Sequence, residues 1–287
     1  MTSRMVDSPR TMSTAPEQPA RQSLAKRVLP ASVHRALCDW RDARRVCREF
    51  GIRSMPDGSL RERVHGHASV AGFVATGRRC AESLLREIEM PGRGVPARSG
   101  GGLDVLDFGC GAGRTLLWMR RMRPAWSFFG SDIDGEAIDW CRRQFGDGRF
   151  ETNDALPPLA FPDDRFDVVY AISVLTHLDE ARGGAWLDEL HRVVRPGGLV
   201  LASLHGEACV PPDPGDAVRR EMDRRGFCFQ PHRRWERWFP AWYGNAFHTR
   251  EFVARTFTGS LELLAHVDRG MAGRQDLVVL RKPGASG

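Results

Sequence analysis

The chain has 287 residues, of which 41% are hydrophobic and 27% charged, a composition typical of a globular protein with one large domain and appendages. Its seven cysteines are odd in number and include no CxxC pair, so the sequence favours free thiols over a disulfide framework or a zinc site. No apolar run reaches the length of a transmembrane helix, and the first residues lack the apolar core of a signal peptide. We therefore predict a cytoplasmic protein without a membrane span.

Positive charge is concentrated near the N-terminus. The formal net charge is +6, and between Arg21 and Arg48 eight basic residues are accompanied only by Asp39 and Asp42. We interpret this segment as a solvated helix face and do not expect a nucleic-acid partner. A helix near residues 31–49 fits three roles: a lid over a ligand pocket, a dimer contact or a membrane-surface helix. Its two acids and modest apolar stripe favour the lid or a homodimer.

The first part of the chain divides into a tail and a helical region. Residues 1–22 are rich in Ser, Thr, Pro and Arg and lack large apolar side chains, so we predict a disordered tail. Residues 23–68 are predicted to form a helical cap that contains a turn at 55–58. A helix over 69–88 then opens the predicted core, which extends over residues 69–206.

From residue 103 onward, short apolar runs alternate with amphipathic stretches. The runs are bounded by glycine or turn residues and have the length of buried strands. The predicted strands are 103–108, 126–130, 149–152, 166–172 and 199–204, and the predicted helices between them are 115–121, 137–145 and 180–194. This alternation predicts a parallel sheet with helices on both faces.

The alternation stops at Gly206. Residues 207–248 contain prolines, a charged helix near 216–225 and the densest aromatic cluster of the chain, and we predict that they form a lid over the substrate. Residues 249–287 are predicted to complete the core, with a helix over 249–257 and two strands over 261–267 and 275–280.

The most informative stretch is the turn that follows the first strand, Asp107-Phe108-Gly109-Cys110-Gly111-Ala112-Gly113-Arg114. Glycines in such a turn bring bare backbone N–H groups and a helix N-terminus up to a ligand. A dinucleotide-binding fingerprint would have a small residue where Arg114 stands. The glycines instead occupy every second position after Asp107. The loop therefore indicates a nucleotide-like ligand and disfavours NAD.

This loop resembles motif I of the class I S-adenosylmethionine (SAM) dependent methyltransferases. Phe166–Leu178 resembles motif IV and the residues after it, and Leu190–Gly198 resembles the helix and turn before the fifth strand, so that the similarity covers 103–206. The resemblance implies an α/β, Rossmann-like sheet of seven strands, mostly parallel with the last strand antiparallel. A helical N-terminal extension and an aromatic-rich insertion after strand 5 would be added to this core. It also implies SAM as the cofactor, S-adenosylhomocysteine (SAH) as the product, and no metal.

The resemblance assigns cofactor binding to residues that follow the predicted strands. Asp132 would accept both ribose hydroxyls, while Asp154 would accept from the adenine amino group and the Ala155 N–H would donate to the adenine ring. An Asx turn is the structural alternative for Asp154. The predicted cofactor residues are Asp107, Gly109, Cys110, Gly111, Gly113, Arg114, Asp132, Ile133, Asn153, Asp154, Ala155 and Ser173.

Three histidines are candidate general bases for a hydroxyl acceptor, because imidazole titrates near neutral pH. His177 stands just past the fourth predicted strand, where the methyl group and the acceptor should meet. His205 ends the fifth strand, and His248 follows the aromatic cluster. For His177, packing or hydrogen bonding within its loop is the structural alternative.

The aromatic cluster of the insertion is interleaved with arginines. Apolar walls combined with arginine suit an acceptor pocket, and we predict Trp238, Trp242, Tyr243 and Arg250 as substrate contacts. The same pattern would suit single-stranded nucleic acid. Packing of the insertion onto the core is the structural alternative.

The predicted reaction is transfer of the SAM methyl group to a small organic molecule such as a natural product or a sugar. Oxygen is the first choice of acceptor atom, and nitrogen or carbon remain open. A sulfonium methyl is already electrophilic, so we expect positioning of the acceptor to dominate catalysis. The alternatives are a cyclisation or rearrangement with SAM as a structural ligand, RNA methylation, and an NAD-dependent oxidoreductase, which Arg114 disfavours.

Overall fold

The computed structural model describes residues 31–95, 101–146, 149–212, 215–231 and 240–284. The predicted tail over 1–22, the first residues of the predicted cap and Trp238 lie outside these ranges. The chain divides into two compact units, Met1–Arg41 and Asp42–Gly287. The sheet and the candidate site belong to the second unit.

Three helices precede the sheet: α1 (Ala31–Phe50), α2 (Gly58–His65) and α3 (Val70–Ile88). Helix α2 corrects the predicted turn at 55–58, because Asp57 of that turn is the helix N-cap and accepts from the Leu60 N–H at 2.9 Å. Such a short, charged segment has no apolar period by which a helix could be recognised. Among the residues that the structure describes, no helix is both long and apolar enough to cross a membrane.

The chain then alternates strands and helices before it enters the insertion. The elements are β1 (Asp104–Phe108), α4 (Leu116–Met122), β2 (Ser127–Asp132), α5 (Gly135–Phe145), β3 (Phe150–Thr152), β4 (Phe166–Ala171), α6 (Glu180–Val193), β5 (Val194–Leu204), α7 (Gly215–Arg225), β6 (Phe227–Pro231), β7 (Gly244–His248), α8 (Arg250–Thr256), β8 (Glu262–Met271) and β9 (Gln275–Arg281).

Seven strands form one sheet in the order β3-β2-β1-β4-β5-β9-β8. The pairs from β3 to β5 are parallel, and β9 runs antiparallel to both β5 and β8. This confirms the predicted seven-stranded, mostly parallel sheet with an antiparallel last strand. Strand β5 begins at Val194, earlier than predicted, because Val194 pairs with Phe166 and the Gly197 N–H donates to Lys282 O at 2.8 Å.

The sheet has an apolar core on each face. Since successive side chains of a strand point to opposite faces, β1 places Val105 in one core and Leu106 in the other. All six side chains of β4 are buried. Both strands are mainly apolar, interrupted by Asp104 and Asp107 in β1 and by Asp167 in β4, as a strand covered on both faces of the sheet requires.

The insertion contains a two-stranded antiparallel sheet, β6–β7, which the sequence did not predict. It is joined to the main sheet at the end of β5. Phe247 forms a parallel bridge with His205, and the His248 N–H donates to His205 O at 2.9 Å. The residues just before β7 are thereby held beside the carboxyl ends of β4 and β5.

Candidate active site

One cavity of about 210 Å³ lies at the carboxyl edge of the parallel strands. Every predicted cofactor residue except Gly113 lines it, and so do His177, Trp242 and Tyr243 of the predicted acceptor site. Gly113 instead packs against the Phe145 ring, from which a Cβ at this position would lie only 2.9 Å away. The assignment of each residue to a ligand stays a prediction.

The glycine-rich loop folds back against the end of β2. The N–H groups of Gly109 and Cys110 both donate to Ser131 O, at 2.8 and 3.1 Å. Gly111 has a φ of 49°, and a Cβ at this position would lie 2.6 Å from Val64 Cγ2. Glycine is therefore required there by both conformation and space. The result is a cradle with bare backbone at the edge of the sheet.

Asp107 lies beneath this loop and is buried. Its Oδ2 accepts from the Tyr170 hydroxyl at 2.9 Å. Burial raises the pKa of Asp107 to about 8, against the opposing effect of the Tyr170 hydrogen bond. The carboxyl group is therefore mostly protonated at neutral pH and can itself donate a hydrogen bond into the cavity.

Asp132 is fixed at the end of β2 by two backbone donors. Its Oδ2 accepts from the Gly111 N–H at 2.6 Å, and its Oδ1 accepts from the Asp134 N–H at 2.8 Å. Burial raises the pKa of Asp132 to about 6, so that it is mainly ionised at pH 7. These two bonds link the glycine loop to the residues after β2. The next residue in the chain, Ile133, is exposed beside the cavity.

The stretch that follows β3 also reaches the cavity. Asn153 Oδ1 accepts from the Ser131 hydroxyl at 2.6 Å, and its Nδ2 donates to Asp154 O at 2.8 Å. Ala155 O accepts from the Trp186 indole N–H at 3.3 Å. Neighbouring side chains thus hold this backbone in place, with Asn153 in a structural role beside Asp154.

Ser173, which follows β4, is held in an uncommon backbone conformation. Its φ is 57°, its N–H donates to Ser203 Oγ at 2.8 Å, and its hydroxyl donates to Gln275 Oε1 at 3.0 Å. A non-glycine residue keeps such a conformation only when its surroundings impose it. The two bonds therefore stabilise the turn that carries the chain from β4 along the cavity towards His177.

Arg114 is buried against helix α2. Its Nη1 donates to Val64 O at 3.1 Å and lies 3.3 Å from His65 Nδ1. Burial lowers the pKa of Arg114, and burial together with the Arg114 charge lowers the pKa of His65 to about 4. His65 is therefore neutral, and the cationic groups that line this part of the cavity are the guanidinium groups of Arg114 and Arg63.

Helix α2 closes one side of the cavity and was missed by the sequence analysis. Arg63 Nε donates to Asp134 Oδ2 at 2.7 Å, and its Nη2 donates to Glu136 Oε2 at 2.6 Å. Val64 packs against Gly111. The pairing of Arg63 with the residues after β2 joins two segments 71 positions apart, which no local pattern could reveal.

The opposite wall is formed by aromatic and aliphatic residues, several of which the sequence analysis did not single out. They are Phe108, Ile172, Val174, Leu178, Trp186 and Pro240, together with the predicted Trp242 and Tyr243. The Phe108 and Trp186 rings lie 4.5 Å apart. Trp186 has the helical spacing of a core residue, so its sequence context indicated burial but not its place at a cavity.

His177 is the candidate base that faces the cavity. Its Nδ1 lies 2.8 Å from Gly244 O. Because a carbonyl oxygen only accepts, Nδ1 carries the proton and Nε2 is the nitrogen that can accept one. The Tyr243 ring stacks on the imidazole, with centroids 4.3 Å apart and an angle of 18° between the planes.

The other two histidines do not line the cavity. His205 Nε2 lies 3.3 Å from Gln275 Nε2, and burial lowers its pKa. His248 is buried against Phe227 and Phe252, and burial lowers its pKa to about 3. Both pack against other side chains away from the cavity, and their role as candidate bases stays a prediction.

Arg250 is likewise held away from the cavity, in contrast to its predicted substrate role. Its Nη2 donates to Asp268 Oδ1 at 2.6 Å, and its Nη1 donates to His266 O at 3.0 Å. His266, Asp268 and Asp276 form the group within the described ranges whose side chains approach as metal ligands would. Asp276 is already bonded to His266 at 3.0 Å, so we interpret the group as an ion-pair network.

Comparison with known proteins agrees with this geometry. Residues 105–198 match a family model described as a methyltransferase domain. The chain is 30% identical over 169 residues to O-methyltransferase rstn1 of Aspergillus nomiae, a match covering 51% of this chain and 71% of that protein. It is 38% identical over 103 residues to the fatty-acid O-methyltransferase of Mycolicibacterium smegmatis, covering 35% of this chain and 36% of that protein.

Among solved structures, one chain of the complex between the Haloferax volcanii Trm112 methyltransferase activator and a methyltransferase is similar in fold. The TM-score is 0.51 at 17% identity, and the match covers 80% of this chain and all of that one. The sequence and fold together show that the chain belongs to the class I SAM-dependent methyltransferases. It spans only about a third to a half of the length of several curated relatives, with 36% and 47% for two of them.

Proposed function

We propose that this protein methylates a hydroxyl oxygen of an apolar small organic molecule and uses SAM as the methyl donor. The observation that carries the proposal is the position of His177, which lines the same cavity as the predicted cofactor residues and whose Nδ1 is held by Gly244 O. The O-methyltransferase names of several relatives support oxygen as the acceptor atom.

The residues at the polar end of the cavity fit SAM. The cradle at Gly111 admits no Cβ, Asp132 offers an ionised acceptor for ribose hydroxyls, and Asp154, which lines the cavity, would accept from the adenine amino group. When bound, SAM supplies an electrophilic methyl group on a sulfonium. Arg114 provides a cation for the carboxylate of the methionine moiety.

The apolar wall is the proposed acceptor site. Apart from His177 and the neutral phenol of Tyr243, the described side chains that form this wall carry no ionisable group, and the guanidinium of Arg182, 5.2 Å from the Trp242 ring centroid, is paired with Asp179. A neutral acceptor with an aromatic or aliphatic body would bury its surface there without leaving a charge unpaired. A free carboxylic acid would instead need a cation, and the arginines lining this cavity, Arg63 and Arg114, lie at its polar end.

His177 would act as the general base. Its Nδ1–H bond to Gly244 O fixes the ring, and its Nε2 takes the proton of the acceptor hydroxyl as the new O–CH₃ bond forms. The electron pair of the broken S–CH₃ bond goes to sulfur, and the neutral thioether SAH results. The surrounding aromatic side chains exclude water, so the hydroxyl does not compete with bulk solvent for the base.

We assign residues 207–248 the role of an acceptor lid and residues 23–68 the role of a cap over the cofactor. Tyr243 and Trp242 support the first assignment, and the contacts of Arg63 and Val64 support the second. A cytoplasmic location, a homodimer and the lack of a nucleic-acid partner stay predictions.

The test uses labelled SAM and a panel of apolar phenols, alcohols and free fatty acids, with product masses recorded. We expect phenols or alcohols to gain one methyl group at oxygen. Methylation of fatty acids alone would contradict the neutral acceptor and leave methyl transfer intact. An isomerised product without an added methyl group would instead show the rearrangement chemistry. RNA should gain no label.

A further inference from the structure

A second cavity lies at the opposite edge of the sheet from the cofactor residues. Its volume is about 400 Å³. Trp126 and Arg149, which line it, come directly before β2 and β3, whereas Asp132 and Asn153 come at or after the ends of the same strands. The two cavities are therefore separated by the length of the sheet, and a ligand in one would not compete with a ligand in the other.

Among the residues that the structure describes, no carboxylate is paired with two of the arginines in this cavity, Arg120 and Arg149. Arg120 is half-buried and its guanidinium lies 5.0 Å from the Phe145 ring centroid. Arg149 is exposed and lies above Phe129 at 5.6 Å. Across the described part of the chain, neither side chain has a hydrogen bond or an ion pair with another residue. Burial and the charge of Arg149 lower the pKa of Arg120.

The third arginine of the cavity, Arg121, is paired with a carboxylate. Arg121 Nη1 donates to Glu49 O at 2.8 Å, and its Nη2 lies 3.7 Å from Glu49 Oε1. Arg120 occupies the same last turn of α4, so the carbonyl end of this helix gives partial stabilisation to both. The carbonyl end of α4 does not stabilise Arg149. It also does not remove the electrostatic repulsion between Arg120 and Arg149.

The cavity also offers apolar surface beside the two charges. The rings of Phe50, Trp126 and Phe145 line it. A ligand with one strongly anionic group and a compact apolar or aromatic part would use both features. Guanidinium groups bind phosphate through paired N–H donors, and the two negative charges of a phosphate monoester match the two uncompensated arginines.

We propose that this cavity binds a small phosphate monoester between Arg120 and Arg149. The proposal does not depend on the proposed methyl transfer, because it uses other residues at another edge of the sheet. Bound phosphate would relieve the repulsion between the two guanidinium groups and supply the acceptors that they lack.

The test is calorimetric titration of the full chain with inorganic phosphate and with phenyl phosphate, at constant ionic strength maintained with sodium chloride. We expect saturable binding to one site per chain, with phenyl phosphate binding more tightly than phosphate because of the aromatic surface. Arg120→Gln and Arg149→Gln should each weaken binding at least tenfold. SAH binding, measured on the same samples, should be unchanged.

The matched control is Arg143→Gln, which removes one exposed arginine of α5 that does not line the cavity. It should bind phosphate as the unmodified protein does. Equal weakening in Arg143→Gln and Arg149→Gln would show non-specific attraction and overturn the proposal, as would the lack of saturable binding. If Arg120→Gln fails to fold, exposed Arg149 still decides the outcome.

Discussion

The rings of His177 and Tyr243 stack face to face, 4.3 Å apart. His177 lies six residues after the end of β4, and Tyr243 belongs to the insertion, where its N–H donates to Pro240 O at 2.9 Å. Burial raises the pKa of Tyr243, as does the nearby charge of Asp132, so that its phenol stays neutral. The insertion therefore supplies one face of the environment in which the proposed base works.

Tyr243→Leu should separate the stacking from the chemistry. Loss of the ring face leaves His177 less well fixed, and we expect kcat/KM for the acceptor to fall about tenfold, equivalent to about 1.4 kcal/mol. Tyr243→Phe keeps the ring and should retain most activity. Steady-state kinetics with an acceptor that the labelled-SAM panel yields measures both. Equal losses in the two variants would point to the hydroxyl rather than to the stacked ring.

His177→Gln removes the proposed base while leaving a side chain of similar length. General-base catalysis contributes about 10²–10⁴-fold, so kcat should fall within that range while the affinity for SAH stays the same. The decisive measurement is kcat against pH, because the loss should diminish at high pH as the acceptor hydroxyl ionises without help. Unchanged kcat in His177→Gln would assign this residue a packing role.

The affinity for SAH should rise with pH. Asp132 accepts ribose hydroxyls best when it is ionised, and its pKa is about 6. If only the ionised form binds, affinity at pH 5 is about tenfold lower than at pH 7.5, since one pH unit below the pKa about a tenth of the groups are ionised.

Calorimetry in two buffers of different ionisation enthalpy measures the protons released on binding of SAH. Release should be largest below pH 6 and should fall towards zero at higher pH. Asp132→Asn should bind weakly and without this proton release. Constant affinity from pH 5 to pH 7.5 would contradict the role of Asp132.

Asp107 should make the folded protein less stable as the pH rises. Its pKa is about 8 in the fold, above the ordinary value of 3.8, so the fold favours the protonated form. The contribution to stability is complete below about pH 4 and is lost as the pH rises towards 8. Asp107→Asn cannot ionise and should unfold at a higher temperature than the unmodified protein at pH 8, with a smaller difference at pH 5.

The thermal melts for this comparison are run at both pH values. We expect the stability difference between Asp107→Asn and the unmodified protein to be larger at pH 8 than at pH 5. The two values should differ by at least about 1.4 kcal/mol, the equivalent of one pKa unit. Tyr170→Phe, which removes the hydrogen bond that favours the ionised form, should lower stability more at pH 8 than at pH 5. A pH-independent difference for Asp107→Asn would show that the carboxyl group is ionised in the fold.

Gly111→Ala should abolish cofactor binding and destabilise the fold. The added methyl group meets Val64 and is attached to a residue with a φ of 49°, a conformation that costs about 1–2 kcal/mol for other residues. Gly66→Ala is the control for conformation alone, because Gly66 has a φ of 82° and open space around its Cβ position. Gly111→Ala should cost more than Gly66→Ala, and Val64→Ala should recover part of the difference.

The cofactor half of the site could be predicted from sequence because its signals are local. Strand, glycine turn and helix follow one another within a few residues, and parallel strands place their carboxyl ends at one edge of the sheet. Asp132 and Asn153 were therefore placed at the edge of the cavity by counting elements, without knowledge of any contact.

The acceptor half was less predictable because it depends on contacts between distant segments. His177, His205 and His248 have similar sequence contexts, and only their tertiary partners distinguish the ring at the cavity from the two in the packed interior. The sequence predicts Arg250 as a substrate contact because it lies near the aromatic cluster. In the structure Arg250 is paired with Asp268 on β8 and does not line the cavity.

The parallel bridge between His205 and Phe247 has a consequence for sequence variation in the inserted segment. It fixes both ends of the inserted segment to the sheet, so the stretch between them can change in length and composition while the glycine loop stays as it is. In the proposed function, the inserted segment contributes Trp242 and Tyr243 to the acceptor wall, whereas the glycine loop belongs to the donor side. Exchange of the inserted segment between relatives should therefore alter acceptor preference and leave the affinity for SAH unchanged.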